Sequence, residues 1–309
     1  GEKAWCATWG GLVEWNLKTR EYIVHTTANG LPSNVLSDVA LDGKNRVWIA
    51  SDAGVAVREG AGWEVFDSRN GLKSDRVLDL AVDREGVVWA ATSGGVVSFP
   101  GGRPKLLGDK EGPGEKPTTI IFFDLGKNIW IGTADDGIYT QLQGTWRHLT
   151  TKNGLLLNTS FTITQDWDNS FWSASPSGVS RWDGQGFQSF GLKKHTGTYD
   201  VRDMIGNDGN MWYFTWNGVH VAKGSEWRHI TETESLISNN VLCGSIDRNG
   251  VAYAGTIYGM SVIGRDLSSV SYSIPNTPFG CNFVSLAVDA GGRLIAAADS
   301  VGINVRDSG

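Results

Sequence analysis

The chain has 309 residues, of which 40% are hydrophobic, with 41 glycines, 14 tryptophans and a formal charge of -6. An acidic balance argues against a nucleic-acid partner, which would favour a basic face, and no stretch reaches the roughly 18 apolar residues of a membrane-spanning helix. Frequent glycine implies many tight turns, and frequent tryptophan implies aromatic plates for a layered core or for ligand stacking.

The N-terminal Gly1-Glu2-Lys3-Ala4-Trp5 has no charged head followed by an apolar core, so no signal peptide remains and it reads as a trimmed or mature start, with a removed targeting segment or C-terminal anchor left open. The three cysteines, Cys6, Cys243 and Cys281, fit no metal-ligand spacing. Buried thiols are expected, and a Cys6–Cys281 bridge is left open.

One phrase then recurs along the chain: an apolar strand, Asp-x-x-Gly or a relative, an apolar-Trp-apolar strand, a turn ending in Gly, and another apolar strand. The central position is Trp5, Trp48, Trp89, Trp130, Trp172, Trp212, Tyr253 and Ile295, at spacings of 40 to 43 residues. The turn glycine follows in step as Gly11, Gly54, Gly95, Gly137, Gly178, Gly218, Gly259 and Gly302. Periodicity of this length marks a repeat architecture. The second copy predicts strands A to D over Val35–Leu41, Val47–Ala50, Val55–Val57 and Trp63–Phe66. Asp42, Asp83, Asp124, Asp166, Asp247 and Asp289 fall at the A–B turns, where an Asx side chain caps nearby backbone N–H groups. They are read as turn formers and the tryptophans as packing between neighbouring sheets.

A four-stranded sheet cannot bury both faces alone, whereas radial stacking about an axis buries them. The prediction is an all-β fold, a single β-propeller domain over residues 1–309. Its repeats of about 40 residues run near 1–34, 35–75, 76–117, 118–158, 159–198, 199–240, 241–282 and 283–309. The first copy (Trp5 to His25) lacks strand A and the last (Phe283 to Val305) lacks strand D. Strand arithmetic favours eight blades, with seven as the alternative.

The inter-repeat loops read Asn29-Gly30-Leu31-Pro32-Ser33-Asn34, Asn70-Gly71-Leu72-Lys73-Ser74-Asp75 and Asn153-Gly154-Leu155-Leu156-Leu157-Asn158. With Val47-Trp48-Ile49-Ala50 and Ile129-Trp130-Ile131-Gly132-Thr133, these loops give a pattern that resembles the two-component-regulator propeller repeat. The resemblance implies an extracytoplasmic (periplasmic or extracellular) sensor module, often of a carbohydrate-responsive system, and also occurs in secreted propellers. Copies seven and eight depart from it in lacking Trp on strand B.

Residues that repeat serve the blade, so a site is sought where copies differ. The B–C turns carry Trp9, Trp216 and Tyr258 in copies one, six and seven, with Asn217 and Asp299 beside them. In a closed ring these five residues share one arc of the channel rim: flat apolar faces and polar groups suited to a sugar-like ligand. The alternative for the same aromatics is packing on the adjacent D–A loops.

No nucleophile elbow, P-loop, metal motif or cofactor fingerprint is present. His148 and His229 occur as Trp-Arg-His on outer D strands, and Lys193-Lys194-His195 occupies a loop. The expectation is a binding or sensor propeller without catalytic residues, cofactor or metal. Its partner would be a small molecule or oligosaccharide, with a protein-interaction scaffold as the second reading and a lyase or hydrolase as the third.

Overall fold

The computed structural model describes residues 3–166, 168–191, 201–223, 226–273, 283–288, 292–298 and 302–306. Among them, thirty strands form eight antiparallel sheets, each ordered as a simple meander. The first sheet (Lys3–Thr8, Gly11–Asn16, Tyr22–His25) lacks strand A, and the last (Phe283–Val288, Leu294–Ala298, Gly302–Arg306) lacks strand D. The six between have four strands each. This is the all-β, β-propeller class.

By their contacts the sheets divide between two compact units, Gly1–Ile163 and Thr164–Gly309. Within each unit the core lies between successive sheets. In the first unit Trp48, Val57 and Phe66 of the second sheet meet Leu80, Ala90 and Phe99 of the third. The Trp48 ring lies 4.9 Å from that of Phe99. In the second unit Trp212, Phe214 and Val221 of the sixth sheet meet Ala252, Ala254 and Ile263 of the seventh. Burial on both faces explains why strand B reads as a continuous apolar run. All five residues of Val47–Ser51 are buried, whereas strand D of the same sheet, Gly62–Phe66, alternates with exposed positions.

The A–B turns reveal a pairing that the repeat only hinted at. Asp42 Oδ1 accepts from the backbone N–H of Lys44 and Arg46, and its Oδ2 accepts from Trp48 Nε1. Asp83, Asp124 and Asp166 accept from Trp89, Trp130 and Trp172 in the same way. In the seventh sheet the Tyr253 hydroxyl takes the tryptophan's place over Asp247 at 3.5 Å. The aspartates do form turns, but four of them also satisfy the one polar atom of an indole, buried in Trp48 and Trp130 and partly buried in Trp89 and Trp172, where an unpaired N–H would be costly.

The D–A loops are built alike. Thr26, Thr150 and Thr231 begin single 3-10 turns, each with its side-chain oxygen capping and with Asn29, Asn153 or Glu234 bonding back to the cap N–H. Gly30 and Gly154 end two of these turns at φ 96 and 92, and Ser235 ends the third at φ 77. The leucine that follows (Leu31, Leu155, Leu236) is buried and anchors the loop to the core. The recurrent Asn-Gly-Leu is therefore a cap, a left-handed stop and an anchor in sequence.

Strand A carries a register shift after its first residues in sheets two, three, four, six, seven and eight. In three of these the shifted residue is Asp, and its carboxylate reaches the next sheet of the same unit. Asp38 accepts from Leu80 N, Asp79 from Ile121 N, both at 2.8 Å, and Asp203 from Gly244 N at 3.3 Å. Bulges redirect a side chain, and here the redirected carboxylate ties two sheets together. Burial raises the pKa of Asp38 and, reinforced by the charge of Asp38, that of Asp79 well above the carboxylate range. It pushes Asp203 up to about 6.

Cys6 is half-buried with its thiol pushed up to about 12 by desolvation, and Cys243 is buried. Cys281 lies outside the described residues, and so does the pairing considered for it.

Candidate functional site

Backbone bonds bring the B–C turns and D–A loops to one edge of each sheet. Ser93 N donates to Arg76 O and Ala134 N to Pro117 O, in the loops that precede their sheets. Gly137 N donates to Asn158 O and Gly218 N to Asn239 O, in the loops that follow. Each turn is further locked by its first hydroxyl: Thr8, Thr215 and Thr256 donate to Gly11 O, Gly218 O and Gly259 O. The closing glycine has no substitute. A Cβ on Gly218, at φ 94, would lie 2.4 Å from Ile230 O. The constant residues thus hold the turn, and the two residues at its tip are free to vary.

At those tips stand the aromatics expected from sequence. Trp9 is 71% exposed, Trp216 50% and Tyr258 55%. Trp9 belongs to the first unit, and Trp216, Asn217 and Tyr258 to the second. Asp299 and Lys193-Lys194-His195 lie outside the described residues. Trp216 and Tyr258 occupy equivalent turns of the sixth and seventh sheets, which pack directly on each other through their shared core. Each turn is fixed at its backbone, with Asn217 N held by Thr215 Oγ1 and Tyr258 N by Thr256 Oγ1.

Two features of this edge were not read from sequence. The Arg202 guanidinium carbon lies 4.1 Å from the centroid of the Trp216 ring, a cation–π contact that covers one face of the indole. The signal was available in the register, since Val201 pairs with Thr215 and so places the next residue of each strand near the turn. The second concerns His148 and His229, which sequence reading placed on outer strands away from the loop edge. Their Nε2 atoms lie 2.5 Å from the carbonyl oxygens of Asp136 and Asn217. Strand D ends at the loop edge, so its last residues buttress the turns there.

His220 stacks beneath His229 at 3.9 Å between ring centroids, and burial followed by the neighbouring His229 lowers its pKa to about 3. A permanently neutral imidazole is poorly matched to proton transfer near neutral pH. The carboxylate of Asp136, another residue of a turn tip, accepts from Tyr139 Oη at 2.7 Å within its own sheet. What the turns of the sixth and seventh sheets present to solvent is an indole stacked on a guanidinium, a phenol, and the Asn217 side chain.

Comparison with known proteins supports the fold and the repeat. Residues 71–94 match the family described as two component regulator propeller, so the chain carries a repeat of that family. No curated protein sequence matches the chain. Among solved structures, one similar chain is an extracellular domain from B. thetaiotaomicron assigned to a hybrid two component system. It is 17% identical with a TM-score of 0.54, over 99% of this chain and 60% of that one. The chain therefore spans less than two thirds of that domain. The computationally designed Ika8 protein aligns at 15% identity and a TM-score of 0.71, over 100% of this chain and 94% of that one. An inactive virginiamycin B lyase of Staphylococcus aureus, solved with quinupristin, aligns at 15% identity and a TM-score of 0.64 over 87% of this chain and 94% of that one. At such identities the likeness is one of fold.

Proposed function

We propose that the chain is a non-catalytic recognition propeller of the extracytoplasmic sensor kind, which takes a carbohydrate-like ligand on its loop edge through Trp216, Asn217 and Tyr258. The observation that carries this reading is the pair of half-exposed aromatics on rigid, equivalent turns of two sheets packed on each other. Flat apolar faces beside polar groups match the alternating C–H and hydroxyl surfaces of a sugar ring. Arg202 supports it by orienting the Trp216 ring before any ligand arrives. Trp9 offers the same kind of surface on the first sheet, and Asp299 belongs to the same reading by its turn position. The extracellular origin of one structural relative agrees with a periplasmic or extracellular setting.

Titration calorimetry against an oligosaccharide panel tests this. A binding sugar should lose about tenfold or more in affinity on Trp216→Ala or Tyr258→Ala. Unchanged affinity in both variants would sink the site.

A protein-interaction role is the second reading. It rests on the outer strand of the first sheet, where Tyr22, Ile23 and Val24 are all more than 40% exposed along an unpaired sheet edge. Pull-down that survives Trp216→Ala but fails on Ile23→Lys would favour it.

A further inference from the structure

The edge opposite the loop site, where A–B and C–D turns meet, holds a cleft of about 330 Å³ between the sixth and seventh sheets. Its origin can be traced to one departure from the repeat. In the second sheet Trp48 pairs with Ala40, whereas Trp212 pairs with Ile205, so the sixth A–B turn is one residue shorter. The strands there close through a tight turn at Asp208 and Gly209, both with positive φ. Asn207 ends strand A, paired with Asn210, at the position where sheets two to five carry the aspartate that holds the indole. The bond that Trp48, Trp89, Trp130 and Trp172 make is therefore missing. Among the described residues Trp212 Nε1 has no hydrogen-bond partner, and both Trp212 and Asn207 line the cleft.

The walls are charged. Lys223 and Arg228 come from strands C and D of the sixth sheet, and Arg265 from the C–D turn of the seventh. Arg265 is 3.8 Å from Asp208. Among the described residues Lys223 and Arg228 make no ion pair, and neither does Glu226, the remaining acid of the cleft. Among the described residues the cavity thus combines two exposed cations and one exposed carboxylate outside any ion pair with an indole N–H and an amide that have no protein partner, in a protein whose overall charge is negative. A volume of this size is at the lower end for a small-molecule site, of order 300 Å³.

We propose that this cleft is a binding site for a small hydroxycarboxylate. The carboxylate lies between Arg228 and Lys223, whose guanidinium and ammonium supply charge-assisted donors. Hydroxyl groups of the ligand donate to Glu226 and Asn207, and one ligand oxygen accepts from Trp212 Nε1. Among the described residues each of these groups is without a protein partner and is open to the cleft. The site is separate from the loop edge, so its occupancy does not depend on Trp216 or Tyr258.

Titration calorimetry with gluconate and malate tests the proposal, with erythritol and inorganic phosphate as the neutral and purely anionic controls. Saturable binding of gluconate or malate, weakened about tenfold or more by Arg228→Ala and unchanged by Trp216→Ala, is the expected result. Trp212→Phe should weaken it by a smaller factor, because it removes one neutral donor. Absence of saturable binding by either acid overturns the proposal, and so does undiminished affinity in Arg228→Ala. Phosphate binding as tightly as gluconate overturns the hydroxycarboxylate assignment, since it would show a site that reads charge alone. Loss of binding on Trp216→Ala would move the ligand to the loop edge and equally overturn it.

Discussion

The indole N–H of Trp48 donates to Oδ2 of Asp42 at 3.0 Å, across six residues and wholly inside the protein. The same carboxylate holds two backbone N–H groups and the Arg46 side chain, so one aspartate joins the turn, the core plate and the surface. Asp42→Ala should cost about 2–4 kcal/mol in chemical denaturation, because it strands a buried indole N–H and opens the turn. A loss below about 0.5 kcal/mol would show that water replaces the carboxylate freely.

Trp130 and Trp212 allow the hydrogen bond to be separated from the ring. Trp130 donates to Asp124, whereas Trp212 has no such partner. Trp130→Phe should therefore destabilise by about 1 kcal/mol more than Trp212→Phe, the cost of one lost hydrogen bond to Asp124, which keeps those from Asn128. Equal losses from parallel urea curves would mean the bond contributes nothing.

Ser235 stands at φ 77 where the equivalent loops place glycine. A Cβ in the left-handed region is strained, so Ser235→Gly should stabilise by about 0.5 kcal/mol, the relief of strain exceeding the added freedom of the unfolded chain. A fall in the denaturation midpoint would contradict this.

Acid titration should show two opposing limbs. Asp203, pushed up to about 6, carries a buried charge in the folded state above that pH. As pH falls from 6 toward the unfolded value of about 4, the folded protein takes up a proton first and gains stability. Asp203→Asn should accordingly be more stable than the parent by about 3 kcal/mol at pH 8, with the difference gone near pH 4. His220 works in the other direction. Its folded pKa of about 3 lies below the unfolded value of about 6.5, so stability is lost as pH falls between them. His220→Phe should remove that limb, and an unaltered acid profile would show that the imidazole titrates normally.

Arg202→Ala should weaken ligand binding at the loop edge several-fold while shifting stability by no more than about 1 kcal/mol, since the cation–π contact is exposed. Binding left intact would mean that the Trp216 ring needs no support.

Much of this was readable from the repeat. The eight B–C hairpins, the missing first A and last D strands, and the exposed turn aromatics all follow from constant spacing and from the absence of room inside a two-residue turn. The Asp–Trp bond was half visible: Asp42/Trp48, Asp83/Trp89, Asp124/Trp130 and Asp166/Trp172 share one spacing, yet each residue had a sufficient reason to recur alone. Asp38, Asp79 and Asp203 were invisible, because a bulge turns a strand residue out of its expected face and the partner lies on another sheet. The cleft was hidden by a single-residue deletion in the sixth turn, which sequence alignment on Trp212 conceals.

Those bulge aspartates bear on how freely such repeats can be exchanged. A sheet that merely lay against its neighbour could be duplicated, deleted or moved without changing the stagger between layers. Here the position of Leu80 is set from Asp38, that of Ile121 from Asp79, and that of Gly244 from Asp203. Each sheet so linked carries half of a lock whose other half belongs to its successor. Where the equivalent residue is Ile120 or Cys243, that half is absent. The repeats are alike in outline but not interchangeable parts, and their order along the chain is fixed by chemistry at the seams as well as by descent.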